Sequence, residues 1–392
     1  MKYNCDNDIL ELFFTGRLTS QDAEKLSSEI SGIIESNKFS QIVGNMKDLE
    51  YISSAGLRVI LSILKRYPTF NLIEVNPEVY EVFDISGFSQ MLPVKKALRK
   101  ISTKDAILIG RGYYSEVYRI DNETIVKKYI RGTSLEDIER ECTLAKRAFI
   151  CGLPCAITYD VVRVDEAYGV VFEAMNAGTL LAELKEDESK IDKVVEENTA
   201  IFKMMHKTTG DRDIFPDAAE NWFNRLAYVR DELTSEEYEK MSCMLKNLKV
   251  TDNFIHSDCH IGNIMRNGDE YMLIDMDTLS IGNPVFEFAQ IFSTYVVFNE
   301  FDPNNSQEFF GIPMQTALDV FYKTTQKYFE GTGEAEYAKN LDKIKVLGYF
   351  FQIFWVKKYT PDNIDFLNFS HKKFGEYIEK TDDLNLVFAD NQ

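Results

Sequence analysis

Long hydrophobic runs are missing from this sequence of 392 residues. The longest uncharged apolar stretch near the C-terminus, residues 346–356, is far shorter than the roughly 20 residues of a membrane-spanning helix. The polar residues that directly follow Met1 do not form a secretory signal segment. The six cysteines are scattered and lack the spacing of a disulfide framework or a zinc site. We therefore expect a cytoplasmic protein with reduced thiols and no membrane association.

Basic residues are also scarce: the sequence has 44 Lys and Arg but 63 Asp and Glu, which gives a net charge of −19. Residues 1–103 hold 12 basic and 13 acidic residues, so nearly all the excess lies in 104–392. This balance argues against nucleic acid as a partner. It is compatible with a cationic or polyhydroxyl ligand, and equally with a charge that serves only solubility.

The first hundred residues alternate strand and helix patterns, which predicts an α/β domain. Thr19 or Ser20 is the expected cap of the first helix. A second strand should end at residue 52, where two serines open a helix and Gly56 permits close packing.

Residues 51–58, Tyr-Ile-Ser-Ser-Ala-Gly-Leu-Arg, resemble the STAS domain of anti-sigma-factor antagonists. In that family a serine at the start of this helix is phosphorylated by a partner kinase, and the matching residue is Ser54. Many members have aspartate where this chain has Ser53. A helix N-terminus stabilises a phosphate, but plain N-capping explains both serines equally well. The resemblance implies a protein partner for this domain.

The most informative stretch is 256–277, with Asp258, Asn263 and, after an apolar strand, Asp275 and Asp277. Phosphoryl-transfer enzymes use such a spacing: one carboxylate receives the acceptor proton, and an amide and a second carboxylate hold magnesium. Asn267-Gly268 predicts a tight turn. The resulting hairpin would bring Asn263 and Asp275 together at one end.

A candidate nucleotide-binding segment precedes this stretch. Gly110, Gly112 and Ser115 fit a Gly-x-Gly-x-x-Ser loop whose backbone can lie over phosphates. Lys127 lies in the strand that follows and is expected to point inward to the phosphates. In the next helix, Glu141 is the acid expected to pair with this lysine.

A strand ending at Glu173 leads into a strand-to-helix crossing at Met175. Sequence order favours a hinge there, whose backbone groups would bind an adenine edge. An ordinary loop after a core strand is the alternative.

The chain from 105 to 392 resembles the aminoglycoside phosphotransferase and choline kinase family, which has a protein-kinase-like fold. The resemblance implies that Asp258 is the catalytic base and that Asn263 and Asp275 bind Mg²⁺. Two residues depart from the family pattern: Ser257 stands in place of glycine and Glu287 in place of aspartate.

The expected architecture is α/β plus α+β. A STAS-like domain (1–100) and a linker (101–106) precede the N-lobe (107–175) and the helical C-lobe (176–392) of a bilobal kinase-like domain. The linker contains no long Gly/Ser stretch.

The expected function is transfer of the γ-phosphate of ATP, with Mg²⁺, to a hydroxyl of a small molecule. Two alternatives stay open: a kinase that acts on Ser54 of a STAS domain, and a nucleotide-sensing binding protein without turnover.

Overall fold

The structure is a computed structural model that describes residues 1–112, 114–174, 178–268 and 270–389. The chain divides into two compact units. The first contains Met1–Ser102 and Val162–Glu166, and the second contains Thr103–Val161 and the chain from Ala167 onward. Each unit is described by itself.

The first unit is an α/β layer structure. Its strands are β1 (Lys2–Asp6), β2 (Ile9–Leu18), β3 (Gln41–Ile52), β4 (Asn71–Val75), β5 (Val94–Lys96) and β6 (Arg99–Ile101). Its helices are α1 (Ala23–Ser36), α2 (Ser54–Arg66) and α3 (Pro77–Ile85). Strands β1 to β5 form one sheet in chain order, and β2 to β5 run parallel. Leu12, Ile60 and Phe83 are fully buried in its core. The alternation predicted from the sequence is confirmed.

The β3–α2 junction forms as predicted. Ser53 is the N-cap of α2, and its hydroxyl accepts a hydrogen bond from Gly56 N at 3.3 Å. A Cβ on Gly56 would lie 2.8 Å from side-chain atoms of both Leu18 and Ile52, so only glycine fits this approach. The strand end at Ile52, the cap at Ser53 and the close contact at Gly56 are therefore formed by residues close together in the sequence and by Leu18 of the adjacent strand β2.

The predicted cap of α1 is wrong. The helix begins at Ala23 with Asp22 as its N-cap residue. The hydroxyl of Thr19 donates to Asp22 Oδ2 at 2.5 Å. This bond orients Thr19 toward a carboxylate rather than toward the helix amides, and Ser20 is not the cap residue either.

The second unit opens with a sheet and one long helix. These elements are β7 (Ile107–Arg111), β8 (Ser115–Arg119), β9 (Thr124–Tyr129), α4 (Leu135–Ile150), β10 (Thr158–Val164) and β11 (Ala167–Glu173). Of β10, residues 158–161 belong to this unit and residues 162–164 to the first. The strand order is β10-β11-β9-β8-β7, and β11, β9, β8 and β7 pair antiparallel in turn. Ser134 caps α4 by accepting from Asp137 N at 3.1 Å. Ile138 of α4 packs against Val170 of β11, which fixes the helix beside the sheet.

The rest of the second unit is mainly helical. Its short strands are β12 (Gly178–Thr179), β13 (Phe254–Ile255), β14 (Ile264–Asn267), β15 (Glu270–Leu273) and β16 (Ser280–Ile281). Its helices are α5 (Leu180–Glu186), α6 (Ile191–Met205), α7 (Ala218–Tyr228), α8 (Ser235–Lys246), α9 (Val285–Phe292), α10 (Phe298–Phe301), α11 (Asn305–Phe309), α12 (Met314–Tyr328), α13 (Glu334–Tyr359) and α14 (Ile364–Ile378). A π-helical segment, Ser293–Val297, joins α9 to α10.

The core of this helical part is rich in aromatic residues. Trp222, Phe292 and Tyr349 are buried, so they pack the interior rather than line an open pocket. Across the residues that the structure describes, no helix is both long enough and apolar enough to cross a membrane.

Candidate active site

The β14–β15 hairpin brings the two ends of the predicted motif together. The strands pair antiparallel, with Ile264 opposite Leu273. The backbone N of Ile274 donates to the carbonyl of Asn263 at 3.0 Å. Asn263 and Asp275 therefore lie side by side at one end of the hairpin, as the sequence predicted. Asn267 is not a turn residue, because it still belongs to β14 and pairs with Glu270.

Asn263 holds Asp258 in place within the loop after β13. Its side-chain nitrogen Nδ2 donates to the carbonyl of Asp258 at 3.0 Å and to Asp258 Oδ2 at 3.2 Å. Asn263 itself is only 7% exposed. With its amide nitrogen directed to Asp258, the amide oxygen of Asn263 remains as an acceptor for another group.

The carboxylate of Asp258 lies among other acids. Burial in the surrounding protein and the negative charges of Asp275, Asp277 and Glu287 raise its pKa well above the usual value. Its side chain nevertheless keeps 44% of its surface open to solvent. Asp258 is therefore accessible to solvent among other acids, where a cation would favour its ionised form.

Lys127 joins three parts of the second unit. Its Nζ lies 3.2 Å from Glu141 Oε1 on α4 and 2.5 Å from Asp275 Oδ1 after β15. Its side chain is 13% exposed. Burial by itself would lower the pKa of Lys127, but the two carboxylates outweigh burial and raise it. The sequence indicated the pair with Glu141, and the contact with Asp275 was not predicted.

The same contact decides the charge of Asp275. Partial burial would raise the pKa of Asp275, but the charge and hydrogen bond of Lys127 outweigh it and lower this pKa. The pKa of Asp277 shifts in the opposite direction. Burial, and after it the negative charge of Asp275, raise this pKa to about 6. Asp275 is therefore the carboxylate held firmly in its ionised form.

Two residues of the site have left-handed backbones. Ser257 has φ 69° and Asp275 has φ 64°, a region that costs most residues energy and suits glycine. Ser257 is the position where the resembling family has glycine, and the structure shows why glycine suits it. Neighbouring contacts must hold these conformations.

Glu287 of α9 supplies such contacts to the loop of residues 256–259. Its fully buried carboxylate accepts from the backbone N of His256 at 2.6 Å, of Ser257 at 3.0 Å and of Cys259 at 3.3 Å. Burial raises the pKa of Glu287. The sequence singled out Glu287 only as a departure from the family pattern, and its anchoring contacts were missed.

His260 and Tyr295 were also missed. The hydroxyl of Tyr295, in the π-helical segment, accepts from the backbone N of Ile261 at 2.9 Å. His260 Nε2 lies 3.8 Å from Asp258 Oδ2. Burial lowers the pKa of His260 to about 4, so that its ring is neutral at pH 7. The only sequence signal for His260 is its place two residues after Asp258.

The glycine loop leaves open space above β7 and β8. Gly112 N donates to the carbonyl of Ser115 at 2.8 Å and so closes the loop. A Cβ would meet no atom closer than 3.7 Å at Gly110 or 3.8 Å at Gly112. Internal packing therefore does not require glycine here, and the free space is compatible with a ligand above the loop.

The predicted hinge is described in part. Glu173 ends β11, and its carboxylate accepts from the backbone N of Ile157 at 3.4 Å. One oxygen of the glutamate side chain is thus used within the protein. The backbone N–H groups of Glu173 and Ala174 are used as well, because they donate to the carbonyls of Ile157 at 3.3 Å and of Glu123 at 2.6 Å. Met175 lies outside the described residues.

Ser54 belongs to the first unit. It is exposed and is the first residue of α2, whereas the hydroxyl of Ser53 is occupied by the cap. Of these two serines, Ser54 is therefore the one whose side chain is accessible.

The donor set at the hairpin end fits Mg²⁺. The oxygen of the Asn263 amide and the Asp275 oxygen that does not contact Lys127 are hard donors of the kind that Mg²⁺ prefers. No cluster of three or more His, Cys, Asp or Glu side chains suited to a metal occurs in the described ranges. Two protein ligands nonetheless suffice for Mg²⁺, which takes its remaining ligands from phosphates and water.

Comparisons with known proteins agree with this division into two parts. The sequence profile of the phosphotransferase enzyme family (APH) matches residues 105–311, and the STAS domain profile matches residues 1–101. BtrV of Bordetella bronchiseptica, named as an anti-sigma factor antagonist, is 39% identical over 83 residues. That match spans 20% of this chain and 71% of BtrV.

Two solved structures are similar to the chain. ADP-bound aminoglycoside phosphotransferase APH(2'')-Ib has 14% identity and a TM-score of 0.46, over 70% of this chain and 94% of that one. A choline/ethanolamine kinase family protein from Mesorhizobium loti has 14% identity and a TM-score of 0.43, over 70% of this chain and 88% of that one.

The sequence profiles define a phosphotransferase domain that follows a STAS domain. Because the matched residues 105–311 are more than half of the 392, the chain belongs to the phosphotransferase enzyme family.

Proposed function

We propose that the second unit transfers the γ-phosphate of ATP to a hydroxyl of a small molecule, with Mg²⁺. One observation carries the proposal. Asp258 and Asn263 are joined by a side-chain hydrogen bond of 3.2 Å, and Lys127 and Asp275 by one of 2.5 Å. The backbone N of Ile274, next to Asp275, connects the two pairs by donating to the carbonyl of Asn263 at 3.0 Å, although the four residues come from three separate segments of the chain. Such a gathering of partly buried charged groups is typical of a catalytic centre.

Each residue has a role that its contacts support. Asp258 accepts the proton of the acceptor hydroxyl, and Lys127 contacts the phosphates of ATP while Glu141 holds the lysine in place. The backbone of Gly110, Gly112 and Ser115 covers the phosphates, and the backbone between Glu173 and Met175 receives the adenine edge.

Asn263 and Asp275 would hold Mg²⁺, which neutralises phosphate charge when it is bound. Lys127 contacts one oxygen of Asp275. This contact keeps the carboxylate ionised and oriented, with its other oxygen available as a ligand.

Replacement of Asp258 by Asn tests the proposal. The full chain is assayed for ADP release from ATP and Mg²⁺ across a panel of hydroxyl compounds. Loss of a positioned base lowers turnover by about 10²–10⁴-fold, whereas ATP binding, followed by calorimetry, should change little. Asp362→Asn, at an exposed aspartate without a side-chain hydrogen bond, is the matched control.

Undiminished turnover in Asp258→Asn would overturn the assignment of the base. ATP binding by the unmodified chain without turnover on any acceptor would instead favour a nucleotide-sensing protein.

A second candidate is phosphorylation of Ser54 by the kinase-like unit. The observation that favours it is the exposed position of Ser54 at the first turn of α2, where free backbone N–H groups stabilise a phosphate. Labelled ATP is incubated with the full chain and no added acceptor. Label on Ser54 that is lost in Ser54→Ala supports this candidate, and an unlabelled chain excludes it.

A further inference from the structure

The side chain of His260 has one defined hydrogen position. Gly262 N, which can only donate, gives a hydrogen bond to His260 Nδ1 at 3.1 Å. Nδ1 must therefore be the unprotonated nitrogen. The proton of the neutral ring lies on Nε2, the nitrogen nearer to Asp258.

The ring is also held in position. Phe310 packs edge-on against His260 with ring centroids 5.1 Å apart, and Phe309 does so at 6.5 Å. Tyr295 stacks on Phe310 and fixes the loop through Ile261. Since the His260 side chain is 13% exposed, little room remains for another rotamer. The Nε2–H direction is therefore set by packing.

The gap between His260 and Asp258 matches a single hydroxyl oxygen. Nε2 and Oδ2 are 3.8 Å apart, too far for a direct hydrogen bond. An oxygen that lies to one side of the two atoms, at hydrogen-bond distance (about 2.8 Å) from both, can bridge them. The pair presents one donor and one acceptor, which is the complement of a hydroxyl.

Other groups match this pair less well. An ammonium group has only donors and would face the Nε2–H with no lone pair. A carboxylate or phosphate oxygen has only lone pairs and would face the Asp258 carboxylate. A hydroxyl, whether of an alcohol or of water, both donates and accepts, so it satisfies both sides.

We propose that His260 binds the acceptor: its Nε2–H donates to the oxygen of the hydroxyl whose proton Asp258 receives. This inference rests on the proposed phosphotransferase function and assigns it a second acceptor-binding residue. With one lone pair of the oxygen used by this donor, a second lone pair remains for attack on phosphorus.

The step balances. The oxygen of the hydroxyl forms a bond to the γ-phosphorus of ATP as its proton passes to Asp258. The bond from that phosphorus to the β–γ bridging oxygen breaks, and ADP leaves with the electron pair. His260 keeps its proton throughout.

Three variants of the full chain test the role of His260. His260→Leu removes the donor at similar volume, whereas the amide of His260→Gln replaces Nε2–H. His371→Leu is the matched control, because His371 lies on α14 and contacts Glu232 rather than any residue of the site. The probe is water as acceptor, followed as ADP release from ATP and Mg²⁺, with tryptophan fluorescence as a check of folding.

We expect His260→Leu to lose about tenfold or more in turnover, with KM for ATP unchanged, since a missing hydrogen bond in the transition state costs about this factor. His260→Gln should stay within about threefold of the unmodified chain, and His371→Leu should equal it.

The outcomes separate the two proposals. Full turnover in His260→Leu, with Asp258→Asn inactive, overturns the role of His260 and leaves the phosphotransferase function intact. Full turnover in Asp258→Asn overturns the function and this inference with it. The same holds if the unmodified chain releases no ADP with water or with any hydroxyl compound of the acceptor panel.

A measurement that does not depend on turnover tests the proposal even if a variant fails to fold. Nitrogen-15 NMR of the unmodified chain at pH 7 should show His260 as the Nε2–H tautomer. An Nδ1–H ring or an imidazolium would overturn the proposal.

Discussion

The two units form their sites in different ways, and one serine in each unit shows the difference. Ser53 in the first unit has an ordinary extended backbone, with φ −86°, and its side chain caps α2. Ser257 in the second unit has a left-handed backbone, with φ 69°. The first serine is needed for its hydroxyl, whereas the second occupies a place that suits glycine.

The difference reflects how many segments supply each site. In the first unit, the start of α2 depends on the end of one strand and the first turn of one helix. In the second unit, the loop around Ser257 is held by Glu287 of α9, and Asp275 of the hairpin is held by Lys127 of β9. A site held by distant segments tolerates an unfavourable local conformation, because the surrounding contacts impose it.

We expect the largest effect from a substitution that disrupts the site in the second unit. Lys127→Met leaves Glu141 and Asp275 without their shared cation, so ATP turnover should fall by about 100-fold or more. Lys146→Met, at an exposed position on the same helix as Glu141, should keep full turnover in the same assay. Equal turnover in both variants would contradict the assignment of Lys127 to the phosphates.

A smaller effect tests how the second site is held. Glu287→Ala leaves three backbone N–H groups of the loop without their acceptor. At about 1 kcal/mol or more for each buried donor, the free energy of unfolding should fall by about 3 kcal/mol. Urea unfolding followed by tryptophan fluorescence measures it, because Trp222 and Trp355 both lie in the second unit.

Glu376→Ala, at an exposed glutamate of α14, is its control and should change stability by less than about 0.5 kcal/mol. If Glu287→Ala behaves like this control, the carboxylate does not anchor the loop.

Next in size is a change within the first unit. Gly56→Ala places a Cβ 2.8 Å from Leu18 and Ile52 and should cost about 1–3 kcal/mol by overpacking. Gly32→Ala, also in a helix of this unit, meets no atom within 4 Å and should instead stabilise by about 1 kcal/mol. Hydrogen exchange of core amides such as Leu12 and Ile60 measures both. The same sign for the two variants would disprove the close contact at Gly56.

The smallest effects sharpen the comparison of the two serines. Ser53→Ala removes a cap and should cost the first unit about 1 kcal/mol, whereas Ser53→Gly should cost only a few tenths. Ser257→Gly should stabilise the second unit by about 0.5–1 kcal/mol, because relief of the left-handed conformation exceeds the added entropy of the unfolded chain. Hydrogen exchange and tryptophan fluorescence, respectively, follow these changes. Destabilisation by Ser257→Gly would mean that its side chain, not only its backbone, serves the loop.

Local patterns were the reliable part of the sequence prediction. The β3–α2 junction, the β14–β15 hairpin and the pair of Lys127 with Glu141 were all indicated by residues whose spacing has a direct structural meaning. The cap of α1 was predicted wrongly, because Thr19 has an alternative partner in Asp22 that cap preferences do not reveal. The contacts of Tyr295 with Ile261 and of Glu287 with His256 were missed, since they join positions 34 and 31 residues apart that no local pattern connects. The role of His260 was missed because the position of its ring depends on packing against Phe310, 50 residues later in the chain.

The sequence by itself determined the two-part order, the strands and helices of the STAS domain, and the spacing of Asp258, Asn263 and Asp275, because these follow from periodicity and short-range turn chemistry. Only the tertiary structure decided which acid Lys127 neutralises, which nitrogen of His260 carries the proton and how Ser257 is kept left-handed. Those outcomes depend on burial and on hydrogen bonds between segments that meet only after the chain has folded.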